Sequence, residues 1–362
     1  MSQENFRSKG EFFLFEARNL SVFLALVSSL KKIKPKKDST FLVIGPKEIF
    51  SFLHLIPFDT VYYHNRVFPA LDSYFYLMPW NTYIANSFLK RTLKIHSDFT
   101  KAHFFTSFPR GIWYTICKKV FLNKFPSGQI SIVDDGSINL SKDFYFEEKS
   151  FKNFSRKSLF FLLLGIEGFK NANAINIDDF HNYYTCYKET LEKRFGFVNL
   201  VDISYSLHSL YKNLSNNLLK DCNSNVFLLL THHAVESRRL SQKKYQKLLS
   251  QLLKIIKENN YDTVLISKHH SESTVNDEFY RHHELVDKYS EIPAEILMVS
   301  EKVTGCATPF NTSIIQLSSM KINPNLDLYI GYKIPSSPLI GQRMSETSKA
   351  LNSWKTKYLI IE

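Results

Sequence analysis

Cysteine is scarce and scattered in this 362-residue chain. Cys117, Cys186, Cys222 and Cys306 are widely spaced and form no C-x-x-C pair. That excludes a disulfide framework and a cysteine zinc site, and predicts reduced thiols in a cytosolic compartment. Long apolar runs are missing too. The longest, "SLFFLLLGI" (158–166) and "LSVFLALVSSL" (20–30), fall short of the ~20 residues a membrane-spanning helix needs. The opening "MSQENFRSKGEFF" is polar and lacks the apolar core of a signal peptide. A cytoplasmic protein that does not cross a membrane is therefore expected. The sequence also has no G-x-G-x-x-G fingerprint, Walker A loop or G-x-S-x-G elbow. Their absence weighs against a dinucleotide oxidoreductase, a P-loop NTPase and an α/β hydrolase. Zinc-finger spacing, a basic region running into leucine heptads and the aromatic RNA-binding motif are absent as well, so nucleic acid is not an expected partner.

Hydrophobic residues make up 44% of the chain, enough for a substantial core and more readily for two domains than one. The charged fraction of 22% is that of an ordinary soluble protein. Aromatic residues reach 15%, with 31 Phe and 19 Tyr; such rings fill cores, but they also line sugar sites and membrane-facing surfaces. The formal net charge of +12 suits nucleic acid, an anionic membrane or an anionic small substrate, and composition does not choose among them.

The first half alternates strand and helix signals. "EFFLFEA" (11–17), "TFLVIG" (40–45), "KAHFFTS" (101–107) and "QISIVDD" (129–135) predict strands. "NLSVFLALVSSLKKIK" (19–34) has helical spacing, an Asn-Leu-Ser opening and lysines in its last turn. Pro46 is expected as the first residue of a helix over "PKEIFSFLHLI". Residues 141–222 carry little strand signal and are expected to close the first domain as a helical or irregular connection. A second alternation begins at Asn225, with strands in "NVFLLLTHH", "YDTVLISKHH" and "LDLYIGY" (326–332). Between them, "SQKKYQKLLSQLLKIIKENN" (241–260) places Tyr245, Leu248, Leu249, Leu252, Leu253 and Ile256 on one helix face. "PAEILMVS" (293–300) suits a short helix begun by Pro293, and "GCAT" (305–308) reads as a turn. This β-α-β order predicts an α/β protein of two Rossmann-like domains facing each other across a cleft, 1–222 and 223–362. The last helix is expected to pack back on the first domain.

Ligands of open α/β sheets sit beyond the carboxyl ends of strands. The polar clusters fall there. Asp134-Asp135-Gly136-Ser137 follows "ISIV", Thr231-His232-His233 follows "VFLLL", and Lys268-His269-His270-Ser271 follows "TVLIS". Each also has a plain reading: Asp-Gly is a common turn dipeptide, and loop histidines are usually solvated. His232-His233, His269-His270 and His282-His283 invite a metal. Neighbours on an extended segment point to opposite faces, however, so each pair offers one ion at most one ligand, and no metal is expected.

Together, "VDDGSINL", "SKHHSES" and "PAEILMVSEKVTGCATPFNTS" resemble the motifs of the bacterial GT-B sialyltransferases. That group includes lipooligosaccharide sialyltransferases, multifunctional sialyltransferases and polysialyltransferases. Its members carry an acidic pair with glycine, a later K-x-H-P and a Ser/Thr motif. Lys268 and His270 keep the K-x-H spacing, with Ser271 where proline is expected; Thr308 stands for the first of two serines and Pro309 replaces the second. The motifs cover about a tenth of the chain, and their order and separation carry the likeness.

The resemblance implies inverting transfer of sialic acid, or a related nonulosonic acid, from its CMP-activated form to a sugar hydroxyl of a bacterial surface glycan. The hydroxyl is a poor nucleophile near neutral pH and needs a carboxylate to take its proton. By the family pattern that is Asp134, with Asp135 holding the turn or orienting its neighbour; a one-residue change in the turn exchanges their roles. His270 is implied to assist the departing CMP. Lys268 is implied at the cytosine, Glu295 at the ribose and Thr308 at the phosphate. Gly136, Ser137, Thr231, His232 and His233 are counted with the substrate-binding residues. No cofactor or obligatory metal is implied beyond the CMP-sugar donor and the glycan acceptor. "KKIKPKK" (31–37) and "KNFSRKSLFFLLL" (152–164) suggest peripheral contact with the anionic inner face of the cytoplasmic membrane. The alternatives are a GT-B transferase using CMP-Kdo or another CMP-activated nonulosonic acid, or a non-catalytic basic protein that binds membrane or nucleic acid.

Overall fold

The computed structural model describes residues 10–65, 79–94, 99, 101–109, 111–134, 180–196, 199–231, 235–236, 241–268, 272, 276–283, 285, 289, 291–308, 327–332 and 356–360. The chain divides into two compact units, Met1–Ile203 and Ser204–Glu362. The first is built on a seven-stranded parallel sheet. Its strands in chain order are β1 (Phe12–Glu16), β2 (Thr40–Gly45), β3 (Val61–Asn65), β4 (Ala102–Thr106), β5 (Gln129–Val133), β6 (Tyr183–Thr185) and β7 (Leu200–Asp202). They lie in the order β3-β2-β1-β4-β5-β6-β7, so the direction of winding reverses between β1 and β4. Every residue of β1, β2 and β4 but His103 is buried, as continuous apolar runs in a parallel sheet require. The phenylalanine surplus goes into this core. Phe13 stacks between Phe41 of β2 and His103 of β4, with ring centroids 4.8 Å away on each side.

Helix α1 (Leu20–Ile33) starts where Asn19 accepts a hydrogen bond from the Val22 N–H at 2.9 Å, and Lys31 and Lys32 occupy its last turn. Such a cap contributes about 1 kcal/mol. Pro46 differs from expectation. It is the N-cap of a 3-10 helix, Lys47–Leu55, and not the first residue of an α-helix. Its extended ψ of 161° lies outside the helical region, which places it one position before the helix begins. Helices α2 (Pro79–Lys94) and α3 (Gly111–Lys124) pack together between β3 and β5 in the chain.

Of residues 141–222, the described part, 180–196 and 199–222, is not the strand-poor connection expected. Within them β6 and β7 extend the first sheet, and α4 (Lys188–Phe195) joins the two strands. Three-residue strands are too short to show an alternating or continuous apolar pattern. Helix α5 (Ser204–Leu218) belongs to the second unit, so the boundary lies at 203/204 and not at 222/223. Lys302 explains the difference: its ammonium donates to the carbonyls of Leu219, Lys220 and Cys222 at 2.9, 3.1 and 2.7 Å, tying the end of α5 to the second unit. Cations are favoured at helix C-termini.

The second unit holds a five-stranded parallel sheet of β8 (Val226–Leu230), β9 (Thr263–Ser267), β10 (Val303–Thr308), β11 (Asp327–Tyr332) and β12 (Thr356–Ile360), in the order β12-β11-β10-β8-β9. Its winding reverses between β8 and β10. Helix α6 (Gln242–Glu258) buries Tyr245, Leu248, Leu249, Leu252, Leu253 and Ile256 against β8 and β9, the face its apolar spacing predicts. Each such side chain contributes about 1.5–3 kcal/mol on burial. Two short helices, α7 (Asp277–His282) and α8 (Ala294–Met298, with Pro293 as its N-cap), follow β9. "GCAT" is not a turn but the last four residues of β10, between β8 and β11. Gly305 admits this: a Cβ there would come within 2.5 Å of the Phe227 ring and of the Tyr261 hydroxyl. The helix expected near the C-terminus lies outside the described residues, of which β12 is the last element.

Candidate active site

Asp134 immediately follows β5 and is 2% exposed. Its backbone N–H donates to the Tyr184 carbonyl at 3.2 Å, continuing the β5–β6 ladder in which Val133 faces Tyr184. The next turn of chain after β6 closes over the carboxyl group: the Cys186 N–H donates to Oδ2 at 2.5 Å. Oδ1 is buried and has no hydrogen-bond partner among the described residues. Burial pushes the carboxyl up to about 7, while the Cys186 N–H and the side chains of Thr185, Tyr183 and Cys186 pull the other way. A carboxyl poised there, with one oxygen uncommitted, can take a proton from a hydroxyl near neutral pH. Asp135, Gly136 and Ser137 lie outside the described residues.

The same edge of the first sheet carries two residues not singled out from the sequence. Glu16 ends β1 and accepts a hydrogen bond from Thr106 at the end of β4, 2.9 Å away and buried, at the strands where winding reverses. Two residues on, the Arg18 guanidinium lies 4.5 Å from the centroid of the Phe108 ring. The signal was available: an acid terminating the buried run "FFLFEA" needs a partner.

In the second unit, Thr231 follows β8 and Lys268 follows β9, and the Thr231 N–H donates to the Ser267 carbonyl at 3.1 Å. The link between them is Glu272, which the sequence did not mark. Its buried carboxyl accepts from the Thr231 hydroxyl, from Asn276 at 3.1 Å and from the Tyr280 hydroxyl at 2.5 Å. Burial raises this carboxyl; the three hydrogen bonds and the charge of Lys268 oppose that. Burial also raises the Tyr280 phenol, helped by Tyr245 and Glu272 nearby, so it stays a donor. Lys268 is ion-paired with Asp277 at the start of α7. Thr231 therefore sits in the wall of this cluster, with its hydroxyl proton directed at Glu272. The only available cue was an acid four residues after Lys268.

Thr308 ends β10. Register places Ala307 beside Leu229, so Thr308 comes level with Leu230 at the β8/β10 reversal. Its hydroxyl is fully buried and has no hydrogen-bond partner among the described residues. Glu295 is buried in the first turn of α8. Thus Thr231, Lys268 and Thr308 gather at the carboxyl edge of one sheet, while Asp134 stands at that of the other. His232, His233 and His270 lie outside the described residues. Among the described residues no group of three or more His, Cys, Asp or Glu could hold a metal ion, all four cysteines are free thiols, and no helix is long and apolar enough to cross a membrane.

No protein-family model matches the sequence, and neither does any curated protein. Solved structures do match. An α/β-galactoside α-2,3-sialyltransferase from the luminous marine bacterium Photobacterium phosphoreum is 12% identical, with a TM-score of 0.54 over 96% of this chain and 97% of its own. A sialyltransferase from Photobacterium damsela is 10% identical, with a TM-score of 0.55 over 96% of this chain and 81% of its own. Two parallel sheets, each reversing its winding once, thus make up the GT-B glycosyltransferase fold of these bacterial sialyltransferases, and this chain has that fold.

Proposed function

We propose that the protein is an inverting glycosyltransferase that moves sialic acid, or a closely related nonulosonic acid, from its CMP-activated form to a sugar hydroxyl. The observation that carries this reading is Asp134: a carboxyl at a strand's carboxyl end, buried, poised at about 7, with Oδ1 uncommitted among the described residues. In the proposed step the acceptor oxygen bonds to the anomeric carbon and its proton passes to Asp134. The bond from that carbon to the phosphate oxygen of CMP breaks, and its electron pair leaves on the phosphate. The second unit holds the donor. Lys268 takes the cytosine, Glu295 the ribose hydroxyls, and the Thr308 hydroxyl donates to the phosphate, with His270 assisting there. A monophosphate leaving group carries less charge than a diphosphate, so this chemistry needs no obligatory metal. Asp135, Gly136 and Ser137 shape the turn that presents the base. Lys31, Lys32, Lys34, Lys36 and Lys37 are all exposed, which supports contact with an anionic membrane carrying the acceptor.

The test is CMP release by purified protein over a panel of CMP-sialate, CMP-legionaminate, CMP-pseudaminate and CMP-Kdo, with sugar acceptors, between pH 5 and 9. Turnover of CMP-sialate or a CMP-nonulosonate is expected, with an acid limb near pH 7 because the base acts ionised. Turnover of a UDP-sugar and of no CMP-sugar would overturn the reading.

A further inference from the structure

We infer that the end of β6, through Thr185 and Cys186, positions Asp134 and sets the pH range in which it can accept a proton. The inference rests on the reading of Asp134 as the base, and it makes Thr185 and Cys186 positioning residues.

Geometry carries it. The β5–β6 ladder runs on to Asp134, whose N–H reaches the Tyr184 carbonyl, so the next two residues of the partner chain segment lie beside the carboxyl group. Cys186 fixes Oδ2 through its backbone N–H, a contact that no side-chain change removes. Thr185 is fully buried, and its hydroxyl oxygen accepts from the Tyr187 N–H at 2.9 Å. Val133 pairs with Tyr184, so Thr185 comes level with Asp134 across the ladder, and its hydroxyl favours the ionised carboxylate. The Cys186 thiol is buried, free of any disulfide, and acts in the same direction. Burial alone would leave the carboxyl protonated at neutral pH; donors from one strand end restore part of the ionised form.

Among the described residues, few titratable groups face Asp134. From β6 and the residue after it come the Tyr183 phenol and the Cys186 thiol. β4, on the other side, continues into Ser107 and Phe108, which do not titrate. Glu16 and Arg18 are one strand further, on β1 and just beyond it.

Two substitutions should move the carboxyl in opposite directions. Thr185→Val removes a hydroxyl donor without changing shape. Cys186→Ser replaces a weak S–H donor by a stronger O–H donor. Protein labelled with carbon-13 at the aspartate carboxyls is titrated by NMR, the Asp134 signal being the one lost in Asp134→Asn. The expected midpoint rises by about one pH unit in Thr185→Val and falls by about half a unit in Cys186→Ser. General loosening of the fold cannot produce shifts of opposite sign. Midpoints unmoved in both variants, or moved in one direction in both, overturn the inference. The pH profile of kcat/KM for CMP-sugar turnover is the second arm, and its acid limb should move with the NMR midpoint. A midpoint that moves while the acid limb stays would remove Asp134 as the base and leave the positioning of its carboxyl intact.

Discussion

Each unit buries a carboxyl group at the carboxyl edge of its sheet, and the two are held differently. In the second unit Glu272 is surrounded by donors: Thr231, Asn276 and Tyr280 all donate to it, and Lys268 adds its charge. In the first unit Asp134 is more deeply buried: the Cys186 N–H fixes Oδ2 and the side chains at the end of β6 also favour the ionised form, yet Oδ1 has no hydrogen-bond partner among the described residues. A carboxyl whose oxygens are engaged by neutral donors is a structural tie. One kept dry with an oxygen uncommitted is destabilised in its charged form and is a better proton acceptor for it. The contrast is the one the proposed function needs, with Glu272 in architecture and Asp134 as the proposed base, although both are buried acids near strand ends.

The largest test of that contrast is Asp134→Asn. Transfer should fall by about 10²–10⁴, as loss of a general base entails. Stability should respond in the opposite sense at high pH. Burial pushes the folded carboxyl from its ordinary 3.8 up to about 7, so the folded state binds the proton more tightly than the unfolded state does. The contribution of Asp134 to stability is then fully present below pH 4, is lost as pH rises through about 7, and changes no further above that. Asn carries no charge, so the variant should unfold at a higher temperature than wild type at pH 8 and show little or no gain at pH 4. Equal destabilisation at both values, read by thermal denaturation, would make Asp134 a structural tie like Glu272.

Glu272→Ala should have the second largest effect, a loss of about 2–4 kcal/mol, because three buried donors lose their acceptor together. Glu272→Gln keeps a carbonyl acceptor and should lose less than half of that. Chemical denaturation measures both, and an Ala variant as stable as wild type would break the comparison from the other side.

The smallest expected effect is that of Thr231→Val. It removes one of the donors to Glu272 and should cost about 1 kcal/mol, with the donor KM raised less than tenfold. A larger rise in KM, at unchanged kcat and stability, would show that Thr231 meets the donor directly.

Much of the frame was legible in advance. Strands β1, β2 and β8 carry continuous apolar runs, β4, β5 and β9 shorter ones, and the buried face of α6 is written in the spacing of its leucines. Strand ends therefore fell where expected, with Asp134, Thr231 and Lys268 on them. β10 was not legible, because Gly305 and Thr308 look like turn residues until Phe227 and Tyr261 are seen to fill the space a side chain would occupy. β6 and β7 are too short for any periodic signal.

By itself, then, the sequence determined the alternation of strands and helices and the residues at the strand ends, because apolar periodicity is a local property of the chain. Only the tertiary structure decided how each acid is held. Asp134 meets the Cys186 N–H across 52 positions, and Glu272 meets Thr231 across 41. Burial and hydrogen bonding set the proton affinity of a carboxyl group, and both come from neighbours that the order of residues does not name.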